Sequence, residues 1–240
     1  MGRMMKQILM GLLVSVPLTL PVYAADDLAY EVEPSYNWTG FYAGFAAGYG
    51  WGDARAEDVD GYNGDLPFSY DVDGFVGNFY AGYNHQFANG FLLGAEVELG
   101  YLGIEGGRQS PVTVASGAPA DDSFYSTDGG VYGALFARVG YTFDRVLLYA
   151  KGGVIAADID QGFRDTDATV LGGLIDPTED NVDIGLAIGG GLEFAVTPSI
   201  IARLEGQYVD FGTTEAIGDG FRFRQDLDFA VVKAGIAIKF

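Results

Sequence analysis

Four glutamates and four basic residues share one feature of spacing: each falls on the polar row of a run in which every second residue is apolar. They are Glu96, Glu98, Glu193 and Glu205 against Arg138, Lys151, Arg203 and Lys233. Carboxylates two residues apart on a strand point to the same side. Glu96 and Glu98 therefore have a spacing that suits a general acid and base, as in glycoside hydrolysis. Both, however, have prospective basic partners on the other runs. No nucleophile with an accompanying base stands out, and neither G-x-S-x-G nor H-E-x-x-H occurs. His85 is the only histidine, so a multi-histidine metal site is impossible within one chain. It lies on an outward row near a tight turn and reads as an interfacial residue. The chemistry expected of these charges is mutual pairing, with no enzyme activity and no cofactor.

A second cluster, DVDGYNGD from Asp58 to Asp65, gathers oxygen ligands of the kind hard cations take. Its spacing departs from a calcium-binding loop, with Asn63 where the glycine belongs and Ser69 where the bidentate glutamate belongs. A solvated acidic loop is the expectation. Asp58, Asp60 and Asp65 stay as the weak cation candidates, because acidic loops attract divalent ions near a negatively charged lipid surface.

The elements that position the eight charges are strands. Phe41, Ala43, Phe45, Ala47, Tyr49 and Trp51 alternate with small residues in the first. The second runs from about Gly74 to Phe87, turns at Ala88-Asn89-Gly90, and gives way to Phe91–Leu102, where Glu96 and Glu98 sit opposite the oily row. Asn-Gly supplies the positive backbone angles of a tight hairpin. Arg138 falls in Val131–Phe143 and Lys151 in Val146–Ala156, joined by Asp144 and Arg145. Glu193 belongs to Asp183–Val196, and Arg203 and Glu205 to the strand from Ile200, after a Thr197-Pro198-Ser199 turn. Lys233 belongs to the last strand, whose oily row runs Ala230, Val232, Ala234, Ile236, Ile238, Phe240. Four long polar loops separate these hairpins: Asp53–Asp71, residues 104–128, Asp158–Val182 and Thr213–Gln225.

Eight amphipathic strands joined alternately by short turns and long loops predict an all-β fold, an eight-stranded antiparallel up-and-down transmembrane β-barrel. Its oily rows face lipid and its polar rows face the lumen. With eight strands the interior is just wide enough to be filled by side chains, so the charges are expected to pair across it. A narrow charge-lined conduit for small solutes or ions is the alternative. Trp38, Trp51, Tyr101, Tyr141, Phe143, Tyr208, Phe211 and Phe240 lie toward strand ends and suit the membrane interfaces. The final strand is expected to pair with the strand containing Phe41, leaving no edge in lipid.

Residues 1–24 place Arg3 and Lys6 before an apolar run ending in Val22-Tyr23-Ala24, the pattern of a cleavable signal peptide. Residues 25–37 read as a short periplasmic tail and 38–240 as the barrel. The chain has no cysteine, so disulfides do not stabilise it outside the cytoplasm. With 33 acidic against 13 basic side chains it lacks the basic surface a phosphate backbone needs, which excludes nucleic acid as a partner.

Several segments resemble a known family. Asn37-Trp38-Thr39-Gly40-Phe41-Tyr42-Ala43-Gly44 with Ala47–Trp51 is similar to the opening of the small porin-like outer-membrane β-barrel proteins. These are immunogenic surface antigens more distantly related to OmpA-like and opacity-type barrels. Gly189–Pro198 and Arg203–Gly212 resemble the family's penultimate hairpin, and Lys233–Phe240 its closing strand. Gly206 and Gln207 depart from the pattern, standing where relatives tend to have aromatics. The resemblance implies an outer-membrane location among lipid and lipopolysaccharide, a terminal Phe240 read by the barrel-assembly machinery, and a structural or surface role. Haem binding and host contact, known for some relatives, do not transfer, because the long loops offer no match.

Overall fold

The computed structural model describes residues 36–61, 67–117, 123–164, 182–218 and 221–240, the side chains of 216–218 and 221 excepted. Eight strands follow in order: β1 Gly40–Asp58, β2 Phe68–Gln86, β3 Phe91–Gln109, β4 Phe124–Phe143, β5 Val146–Arg164, β6 Val182–Ala195, β7 Ile200–Gly218 and β8 Phe221–Lys239. Each pairs antiparallel with the next, and β1 pairs with β8 to close the barrel. At the seam Ala43 lies opposite Ile238, and the Phe240 amide donates to the Phe41 carbonyl at 2.9 Å. The barrel is therefore all-β and up-and-down, with no edge left in the lipid.

Tight turns join β2 to β3, β4 to β5 and β6 to β7. Gly90 takes φ +84° and Asp144 φ +51°, the left-handed backbone such turns need. A six-residue helix, α1 Pro111–Ser116, caps the β3–β4 connection, with Ser110 accepting from the Thr113 amide at 3.3 Å.

The strands are longer than the alternation suggests. β1 continues to Asp58 and β2 begins at Phe68, inside the stretch expected as a loop from Asp53 to Asp71. β3 and β4 likewise extend to Gln109 and from Phe124, and β5 runs to Arg164. Thr213–Gln225, expected as a fourth loop, lies largely within β7 and β8. The physical reason is a reversal of polarity, on β1 and β8 without a change of phase. On β1 the outward row reads Phe41 to Trp51, then Asp53, Arg55, Glu57, while the inward row passes through Ala54 and Ala56 to the buried Asp58. On β8 the inward row reads Phe223, Gln225, Leu227, Phe229, Val231 before reaching Lys233. Nineteen residues span about 65 Å along a strand, whereas the apolar band of such a barrel is only about 25 Å tall. The excess projects into water, where an oily outer row would be unfavourable and an oily inner row is a core.

The interior is consequently layered. The outer half is an apolar core that includes Tyr70, Leu102, Ile104, Tyr125, Phe136, Phe163, Phe211 and Phe229. Phe211, expected at the membrane interface, points inward and stacks on Phe229 at 6.2 Å, because it continues the inward row of β7 through Arg203, Glu205, Gln207 and Val209. The periplasmic half holds the charges and, beneath them, a second cluster around Trp38.

Candidate functional site

All eight charges singled out from the sequence project into the lumen, and each is at most 5% exposed. They form one layer. Glu96 on β3 takes Arg138 of β4 at 3.1 Å, Lys151 of β5 at 3.1 Å and Arg203 of β7 at 2.6 Å. Arg138 also reaches Glu193 at 2.9 Å, and Arg203 reaches the same oxygen at 2.6 Å. Glu98 pairs with Lys151 and with Lys233 at 2.9 Å, and Glu205 pairs with the same two lysines at 2.9 and 3.2 Å. Strands on opposite walls are thus tied through the middle of the barrel. Removing one partner from such a layer strands a buried charge, which is why the members hold together.

The spacing that suggested acid–base chemistry puts Glu96 and Glu98 on one row, but their oxygens are committed to cations. Carboxylate oxygens of Glu96, Glu98 and Glu205 come within 4.8 Å of one another, close enough for a metal. The Lys151 ammonium occupies that position instead, bridging all three.

Tyrosines that sequence reasoning did not assign complete the layer. Tyr42 donates to Glu96 at 2.8 Å, Tyr132 to Glu98 at 3.0 Å and Tyr149 to Glu205 at 2.6 Å. Arg203 lies 3.8 Å from the Tyr80 ring centroid and Arg138 4.1 Å from that of Tyr149, while Lys151 faces Phe136 at 4.2 Å. The signal was available in their parity, since all lie on inward rows. The small inner face of β1 makes room for them: a Cβ at Gly44 would meet the Tyr80 ring at 2.7 Å.

Trp38 closes the periplasmic side. Expected as an interfacial ring, it is instead 1% exposed and packs among Leu92, Leu147, Ala195 and Ile201. Its indole donates to the Asp144 carbonyl at 2.9 Å, and its amide to Gln86 at 2.8 Å. Tyr36 donates its amide to the Asp144 carboxylate at 3.0 Å and its hydroxyl to the Pro198 carbonyl at 3.2 Å. Tyr36, near the end of the stretch expected as a short periplasmic tail, and Trp38 thus strap three periplasmic corners of the barrel. The reason is local: Trp38 is three residues from Phe41 and shares the inward row of Gly40 and Tyr42, so it continues the buried face of β1.

Of the cation candidates, Asp60 is taken by Arg222 in a two-pronged ion pair at 2.7 and 3.0 Å. The hydrogen bond from Arg222 holds its carboxyl down to about 2. Asp58 is buried and accepts from the Gly61 amide at 2.9 Å. Asp65 lies outside the described residues. His85 is on the outward row, edge-on to Phe87 at 4.8 Å.

A further set of acids emerges only from the register. Just above the apolar band, Asp210 lies opposite Asp228, Asp228 opposite Asp53, and Asp53 opposite Asp71. The series continues with Asp73 opposite Glu105, Glu105 opposite Asp128, and Asp128 opposite Asp160. All face outward, on every strand but β6. Directly opposed like charges destabilise a sheet. At Asp53, burial and then its neighbours Asp71 and Asp228 push the carboxyl above the ordinary range.

Comparison with known proteins agrees with this architecture. The model of the outer membrane protein beta-barrel domain matches residues 11–240. The 25 kDa outer-membrane immunogenic protein of Brucella abortus is 28% identical, the match covering 99% of this chain and 100% of that one. The 22 kDa outer membrane protein of Rhizobium leguminosarum is 30% identical over 87% of this chain and 81% of its own. Among solved structures, the outer membrane protease OmpT from Escherichia coli superposes with a TM-score of 0.50 at 9% identity, over 87% of this chain and 99% of that one, a likeness of fold alone. With a closed eight-stranded barrel and a family match that runs to the terminal Phe240, the chain belongs to the outer membrane protein beta-barrel domain family.

Proposed function

We propose that this outer-membrane barrel is a non-enzymatic surface protein that seals its own lumen and is seated in lipopolysaccharide through its acidic girdle. The observation that carries the sealed reading is the stacking of three layers across one eight-stranded lumen: Trp38 with its apolar neighbours, the paired charges, and the outer apolar core. A narrow conduit would have to cross all three. Enzyme chemistry is disfavoured because the paired carboxylates lie in the barrel interior with their oxygens bound to cations. The Brucella relatives' description as immunogenic supports exposure of the loops at the cell surface.

In vesicles loaded with a slowly permeating pentose, the wild-type barrel is expected to leave swelling rates at those of protein-free vesicles. Swelling that scales with protein content would contradict the sealed reading.

The girdle supports the second half. Carboxylates facing outward at headgroup height, opposed to one another across strands, are a surface that divalent cations stabilise by bridging to lipid phosphates. In lipopolysaccharide-containing vesicles, chelating Mg2+ is expected to lower the unfolding temperature of the wild type. Asp53→Asn with Asp228→Asn removes much of that dependence; an equal response in the variant would rule the girdle out. Phe240, 77% exposed at the barrel's end, is the terminal side chain we assign to recognition by the assembly machinery.

A further inference from the structure

The lipid-facing wall is not evenly clad. Across β1, β2 and β3, the directly opposed outward residues Ala43, Ala81 and Val97 form a low row. On its extracellular side stands a higher row, Phe45, Phe79 and Leu99, with the two phenylalanines 56% and 73% exposed. On its periplasmic side Phe41 and Tyr83 rise as a pair, ring centroids 4.8 Å apart, but the next residue in that row is Ala95. Beside Ala95 on β4 is Ala137. The result is a trough of about 550 Å3 lined by Ala43, Phe45, Phe79, Ala81, Val97 and Leu99. By side-chain size it is walled toward the cell exterior by Phe45, Phe79 and Leu99, and its lowest flank, toward the periplasm, is at Ala95.

We propose that this trough binds one acyl chain of an inner-leaflet phospholipid. The proposal rests on the membrane location and not on the sealing of the lumen. The wall faces hydrocarbon, so its occupant is apolar, and the trough is continuous with the lipid interface of the barrel. The direction of the opening selects the source. Lipopolysaccharide chains descend from the exterior and meet the Phe45, Phe79 and Leu99 row first, whereas a chain rising from the periplasmic leaflet enters beside Ala95. Burial from water contributes nothing here, since lipid tails are as apolar as the wall. Retention comes from added van der Waals contact on a floor and two flanks, where an annular chain on a flat wall touches only one side. A barrel otherwise surrounded by exchanging lipid thus carries one that exchanges slowly.

The test is native mass spectrometry of the full chain released from vesicles containing both palmitoyl-oleoyl phosphatidylethanolamine and lipopolysaccharide. The wild type is expected to retain one phospholipid. Ala81→Trp, which fills the floor while still facing lipid, is expected to lower that occupancy by about tenfold or more. Ala95→Leu, which narrows the opening, lowers it in the same direction. Leu186→Trp, on the outward row of β6, leaves it at the wild-type level. Undiminished occupancy in Ala81→Trp, equal loss in Leu186→Trp, retention of lipopolysaccharide in place of phospholipid, or a second protein copy on the wild-type barrel would each overturn the proposal.

Discussion

Arg203 shows how the interior is held together at the scale of single residues. Its guanidinium meets Glu96 and Glu193 at 2.6 Å and lies over Tyr80, so no rotamer change can release it without leaving the buried layer one positive charge short. Replacing it with Met is expected to cost about 3–5 kcal/mol, the penalty of leaving one buried charge uncompensated in the layer. Adding Glu193→Leu restores part of that stability, because the pair is then removed together. Urea unfolding from phospholipid vesicles measures both, and a loss within about 1 kcal/mol for the single change, the size typical of an exposed pair, would mean water enters the layer. The eight charges were legible because strand parity assigns each to a face and an eight-stranded lumen forces what faces inward to touch. The tyrosines were not. A tyrosine on an inward row reads equally as filler, and only the three-dimensional approach of Tyr42, Tyr132 and Tyr149 to Glu96, Glu98 and Glu205 makes them hydrogen-bond donors to the charge layer.

At the scale of elements, the strands separate into a membrane half and a projecting half with opposite polarity. Alternation alone located the first half of each strand and stopped where the oily row stopped. Asp53 after Trp51, or Asp71 before Phe75, looks like the edge of a loop if outward means oily. It is the continuation of a strand once the outward solvent changes from lipid to water. The strap before β1 escaped for a related reason. Trp38 shares the inward row of Gly40 and Tyr42 but precedes the alternating run, and it packs under the barrel among Leu92, Leu147, Ala195 and Ile201. Trp38→Ala is expected to destabilise the barrel by about 3–5 kcal/mol, the usual cost of emptying a large buried aromatic site. Its fluorescence gives a second check: in Trp51→Phe protein the remaining Trp38 emission is expected to resist quenching by acrylamide. Ready quenching would place the ring outside the mouth.

For the whole molecule, closure was readable from the two ends of the chain, because a first and last strand with matching oily rows leave no other partner for their edges in lipid. The girdle was not readable. Its acids sit in seven strands at sequence positions with no common motif, and only the register aligns Asp210, Asp228, Asp53, Asp71 and their continuation from Asp73 to Asp160. On the proposed reading these features make a closed plug in the membrane carrying a soluble-type barrel above it, banded by negative charge where the two meet. Function on that account belongs to the outer surface and not to the lumen. Single-channel recording in planar bilayers tests this most directly. The purified wild-type barrel is expected to give a flat baseline at all moderate voltages, in high salt as in low, while reproducible unitary steps of fixed size that scale with ionic strength would contradict it.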